Sequence, residues 1–157
     1  MVRSYQVAFR EVLGQEVSAA SVRPLVGMTL PDALADHASH LEALIRSYRR
    51  FNLAHLEELQ RDYDGIARLL GDLRAAGART GIVTSKSRTT AERSLAASGL
   101  ADCVPLLVAQ GDTELHKPHP EPVLAALAMV GATPEAAAYV GDSTWDLVAA
   151  RAAGSPR

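Results

Sequence analysis

Apolar positions recur at helical spacing through the first 62 residues, then give way to helical stretches that alternate with short strand-like runs. Tyr5, Phe9, Val12 and Leu13 fall on one helical face, Leu34, Ala38, Leu41 and Ile45 on a second, and Leu53, Leu56 and Leu59 on a third. The pattern predicts packed helices, punctuated by Gly14, Pro24, Gly27 and Pro31. Pro31 followed by Asp32 suits a helix start, where a missing amide is harmless and an acid complements the helix dipole.

From Asp64 the rhythm changes. Ile66, Leu69, Leu70 and Leu73 predict a helix closed by Gly77, followed by a strand over 81–84. A helix around Ala91 and Leu95 ends at Gly99, and 104–109 reads as the next strand. A third helix holds Val123, Leu124, Leu127 and Val130; the run 138–141 reads as another strand, and 145–153 as the last helix. Such alternation predicts an α/β fold: a parallel sheet with helices on its faces, whose ligands bind at the carboxyl ends of the strands. The expected organisation is a helical segment over 1–62 and an α/β core over 63–157.

Length and charge narrow the function classes. A chain of 157 residues suffices for one domain, or for a small one with a helical insertion. Sixteen basic against eighteen acidic residues lack the basic footprint of nucleic-acid binding, so no nucleic-acid partner is expected. Cys103 stands alone and can make no internal disulfide, and the opening MVRSYQVAFREVLG carries Arg and Glu where a secretory signal needs an apolar run. No stretch reaches the roughly 20 apolar residues of a membrane span. The expectation is a cytoplasmic protein with no membrane partner.

Three predicted strand ends carry polar residues that a parallel sheet would bring to one edge. GIVTSKS places Thr84 and Ser85 between strand and helix, where hydroxyls and free amides suit an anion; helix capping alone also explains them. HKPHPEPV presents Lys117 from a loop stiffened by Pro118, Pro120 and Pro122, although a solvated turn lysine would read the same way. VGDSTWDLVAA sets Asp142 at a strand tip with Asp146 four residues on, a spacing expected to put both on one helical face as hard oxygen ligands of the kind magnesium takes. The same two acids would also serve as an N-cap and a first-turn acid.

A hydroxyl after one strand, a lysine in a proline-rich loop and then GDSTWD together resemble phosphatases of the haloacid dehalogenase-like superfamily. The resemblance runs along the whole chain. The segment over 1–62 is similar to that superfamily's small helical cap, and YRRFNLAH and DYDGIARLLGDLRAAGARTGIVTSKS resemble its pyrophosphatase and phosphoglycolate phosphatase branch. The resemblance implies a Rossmann-like core and a Mg2+-dependent hydrolase of a small phosphorylated substrate. Thr84, and Ser85 beside it, would hold the phosphoryl group, and Lys117 would neutralise it. Asp142 would bind magnesium, with Asp146 as a second ligand or as support for the first.

The chain departs from that pattern at its start. Members carry a strand ending in Asp-x-Asp-Gly-Thr just ahead of a segment like VRSYQVAF, its first Asp the nucleophile and its second the general acid and base. Asp32, Asp36, Asp62 and Asp64 belong to the cap or its return linker, so that role is not transferred to them. Relatives also continue past RAAG with another strand and helix. The core is therefore expected to be incomplete and the chain inactive as written. The missing strand would leave roughly two strand spacings open between the strands ending at Thr84 and Gly141. Three outcomes are expected: the two strands pair directly, a partner such as a second copy fills the slot, or the fold is unstable. The alternatives to an enzyme are a non-catalytic remnant and a receiver-like domain binding phosphate and magnesium. The order of the motifs, with the acids last, speaks against a receiver.

Overall fold

The computed structural model describes residues 1–155 and divides the chain into two compact units, one over Met1–Leu59 and a second beginning at Gln60.

In the first unit, α1 (Val2–Leu13) packs against α4 (Leu41–Ala54), and the short helices α2 (Ala19–Val22) and α3 (Leu30–Ala33) close the hairpin between them. Tyr5, Ala8, Phe9, Val22, Leu34, Leu44 and Tyr48 form its core. The Tyr5 and Tyr48 rings meet edge-on at 4.7 Å. Burial pushes the Tyr5 phenol up to about 12, so it stays protonated. A polar seam crosses this interface, where the Asn52 amide donates to Ser4 Oγ at 3.1 Å. Ser47 hydrogen-bonds Glu11, which also pairs with Arg50.

The predicted second helix is broken. Thr29 caps α3 by accepting from the Asp32 amide, Pro31 stands in its first turn, and a 3-10 segment (Ala35–His40) follows before α4 starts at Leu41. The 3-10 segment reads ADHASH. Asp and Ser are weak helix formers, which disfavours a continuous helix through this segment. Leu53 ends up in α4 and Leu56 in α5 (Leu56–Leu59), separated at His55, whose ring stacks on Phe51 at 4.2 Å.

The second unit begins with α6 (Ile66–Ala75), followed by β1 (Ile82–Ser87), α7 (Arg88–Ala97) and β2 (Leu106–Gln110). The two strands are parallel, pairing Ile82 with Leu106, Val83 with Val108 and Ser87 with Gln110, with irregular register between these pairs. Gly81 lets the sheet close at its start, because a Cβ there would stand 2.1 Å from Leu107 Cδ1. After β2 come α8 (Glu121–Val130) and α9 (Thr144–Ala152), packed through Val123, Ala149 and Ala153.

Two sequence expectations need correction. The strand β1 runs on to Ser87, so Thr84 and Ser85 lie within it and not in a loop ahead of α7. The run 138–141 joins no ladder among the described residues, and β1 pairs with β2 alone. A strand is defined by its partner. Without a backbone neighbour at pairing distance the apolar run does not become one, and Val140 stays 95% exposed. Of the three outcomes weighed for the slot, direct pairing is not what the fold shows.

Candidate functional site

The second unit gathers its buried charge around Lys117 and Asp146, which are 8% and 7% exposed. Lys117 leaves the loop through a cis peptide bond to Pro118, and its Nζ lies 2.5 Å from Asp146 Oδ1. Asp146 is held from the other side by the N-terminus of α9. Ser143 is the N-cap, its hydroxyl accepting from the Asp146 amide, while Asp146 Oδ2 accepts from the Ser143 hydroxyl at 2.6 Å and from its amide at 3.2 Å. This is a capping box written Ser-x-x-Asp.

Tyr139 closes the arrangement. Its hydroxyl lies 3.4 Å from both Lys117 Nζ and Asp146 Oδ1, and 3.3 Å from the Val83 carbonyl on β1. A phenol has one proton, so it accepts from the ammonium and donates to one of the two oxygens. Burial, and then the negative charge of Asp146, raise the phenol's pKa well above its ordinary value, so it remains a donor. Burial alone would raise the Asp146 carboxyl. The hydrogen bonds from Lys117 and Ser143 and the charge of Lys117 outweigh it, so the net shift is downward and the carboxylate stays ionised.

The predicted residues are therefore brought together in part. Lys117 and Asp146 touch, and Tyr139 links them to Val83, the neighbour of Thr84 on β1. Thr84 Oγ1 accepts from the Lys86 amide at 3.2 Å. Asp142 is exposed and precedes α9, so the four-residue spacing does not place it on a helical face with Asp146. Magnesium takes one or two carboxylates together with waters and phosphate oxygens. Asp142 presents an exposed carboxylate, whereas both oxygens of Asp146 are engaged by Lys117 and Ser143. Among the described residues no three His, Cys, Asp or Glu side chains cluster as a ready metal site.

Sequence reading missed Tyr139 and Ser143. Ser143 was legible from the Ser-x-x-Asp spelling, but Tyr139 looked like one more apolar position of a strand. It also passed over the spelling Asp62-Tyr63-Asp64-Gly65, the one Asp-x-Asp in the chain. That stretch is exposed and irregular, and it leads into α6 instead of following a strand.

Known proteins share this arrangement of chain. A pyrophosphatase, PpaX, from Bacillus cereus (strain AH820) is 40% identical over 135 residues, which are 85% of this chain and 62% of the relative. The chain thus spans less than two thirds of the length of the curated relatives it matches. A solved structure from Lactobacillus plantarum, assigned as a phosphoglycolate phosphatase, superposes with a TM-score of 0.82 at 29% identity, over 98% of this chain and 76% of that one. A hydrolase from Pseudomonas syringae reaches 0.85 at 22% identity, over 98% and 74%, and supports the fold. With the family model for haloacid dehalogenase-like hydrolases matching residues 1–157, the α/β unit and the helical unit before it have one common explanation: the chain belongs to that family.

Proposed function

We propose that this chain serves hydrolysis of a small phosphate compound, of the pyrophosphate or phosphoglycolate kind, with magnesium as the metal. The observation that carries the reading is the buried Lys117–Asp146 pair, linked through Tyr139 to β1 beside Thr84. Family membership supplies the reaction class, and the names of the relatives supply the two substrate candidates.

In this reading Thr84 and Ser85 hold the phosphoryl oxygens and Lys117 supplies positive charge to them, as fixed charges do for a phosphoryl group whose charge is spread over its oxygens. Asp146 is a positioning residue: it fixes the ammonium in place. Asp142 would hold magnesium, which when bound contributes further positive charge to the phosphate oxygens.

No nucleophile is assigned. Asp62 and Asp64 lie in an exposed irregular stretch that leads into α6 and follows no strand, and the proposal includes that the chain as written does not turn over. The test is titration with inorganic phosphate, with and without magnesium, followed by an assay of phosphate release from an aryl phosphate. Phosphate binding that weakens on Lys117→Met is expected, with release at background. A phosphate affinity indifferent to Lys117 would sink the reading, and a release rate that vanishes on Asp142→Ala would overturn the claim of inactivity.

A further inference from the structure

The chain contains two lysines, Lys86 and Lys117, and every other basic residue is arginine. Neither lysine is on the open surface. Lys117 is buried and ion-paired with Asp146. Lys86 differs. It lies half-buried on β1, and its ammonium donates to the Ser94 hydroxyl of α7 at 2.8 Å. Ser94 in turn donates to the Thr90 carbonyl, so the ammonium rests on a neutral group. Among the described residues no carboxylate stands within ion-pair distance of it, whereas Arg88 nearby is paired with Asp112 at 2.5 Å.

A half-buried ammonium with a neutral partner is costly, and burial accordingly lowers its pKa. The protein keeps a compact, strongly hydrated cation here, although it uses arginine for ordinary surface charge. The position is specific too. Lys86 is two residues beyond Thr84 on the same strand, a spacing of roughly 7 Å between their Cα atoms, and its amide donates to the Thr84 hydroxyl.

We propose that Lys86 is a second anion-binding residue of this unit, taking a further anionic oxygen group, phosphate or carboxylate, on a substrate whose first phosphate is held at Thr84 and Lys117. This rests on the phosphate reading above and deepens it: the substrate carries two anionic groups, not one. A lone phosphate would leave Lys86 without its partner.

The test compares inorganic phosphate, pyrophosphate and 2-phosphoglycolate in calorimetric titrations of the full chain and of Lys86→Gln. The unaltered chain is expected to prefer a two-group ligand over phosphate by roughly tenfold, the scale of one hydrogen bond to a charged group. Lys86→Gln is expected to erase that preference and to leave phosphate affinity nearly unchanged. Whichever ligand shows the preference identifies the second group as phosphate or carboxylate.

Acylation of the unaltered chain, read by mass spectrometry, needs no variant, and with two lysines each product is assignable. Saturating two-group ligand is expected to protect Lys86 and phosphate to leave it reactive. Equal labelling of Lys86 with and without bound two-group ligand overturns the inference, as does a preference that survives Lys86→Gln. Phosphate binding sensitive to Lys117 but no preference for two-group ligands overturns it alone. Failure of all three anions to bind overturns the phosphate reading with it.

Discussion

Gly141 stands so close to Asp146 that a Cβ on it would lie 2.4 Å from the aspartate's Cβ and 2.9 Å from its Oδ2. The glycine is therefore a condition for the Lys117–Asp146 pair, since any side chain at 141 pushes the carboxylate away from its ammonium. Gly141→Ala is expected to destabilise the protein by about 1–3 kcal/mol, the usual scale of overpacking. Gly71, inside α6 with nothing within 4 Å of a Cβ, is the control. Gly71→Ala is expected to stabilise by about 0.4–1 kcal/mol, because alanine loses less backbone freedom on folding. Denaturant midpoints of the two variants check both signs, and a neutral Gly141→Ala would show that the carboxylate has room to move.

The buried pair also makes a statement about pH. Asp146 has its carboxyl held below the ordinary value in the folded chain, so the unfolded chain binds a proton more readily. Its contribution to stability is present above the unfolded pKa of about 4 and is lost as pH falls through the folded one. Asp146→Asn is expected to flatten the acid limb of the stability profile below about pH 4. Urea melts across pH 2–7 read this directly, and an unchanged acid limb would remove Asp146 from the linkage.

Breaking the pair from the other side costs more than deleting it whole. Lys117→Met leaves a buried carboxylate with Ser143 and Tyr139 for company, and is expected to cost about 3–5 kcal/mol. In the double variant Lys117→Met with Asp146→Leu both charges are gone, and the loss is expected to be smaller than for Lys117→Met alone. A double-mutant cycle with additive costs would mean that the two groups do not interact.

What could be read from the sequence follows from where the information is local. The helices at 2–13, 66–75, 88–97, 121–130 and 144–152 were legible because one apolar face with caps decides a helix within its own residues. The strand over 138–141 was not, because its existence depends on a neighbour that the run itself cannot encode. At the site, Lys117 and Asp146 stood out as charges in motifs, but their pairing did not, since 29 positions separate them and the fold alone brings them together. The sequence did not show that both Asp146 oxygens are engaged, one by Lys117 and one by the capping box. Tyr139 was hidden by being aromatic in an apolar run, where a phenol looks like packing until its hydroxyl is seen against Val83.

The unpaired run that reaches β1 through the Tyr139 hydroxyl gives the last test. Among the described residues no backbone hydrogen bond ties the amides of Tyr139 and Val140 to another strand, whereas Val108 sits 3% exposed in β2, paired with Val83. In the isolated chain the amides of 139 and 140 are expected to exchange quickly and that of Val108 slowly, by the free-energy gap between local and global opening. Val140→Thr is expected to change stability by less than about 0.5 kcal/mol, as for an exposed site, while Val108→Thr places a hydroxyl in the core and costs about 1–3 kcal/mol. The comparison also separates a free edge from an occupied one. Slow exchange at 139 and 140 that appears only at high protein concentration, with a Val140→Thr cost that appears alongside it, would show that a second copy pairs with this run. Slow exchange at every concentration would contradict an unpaired run within the single chain.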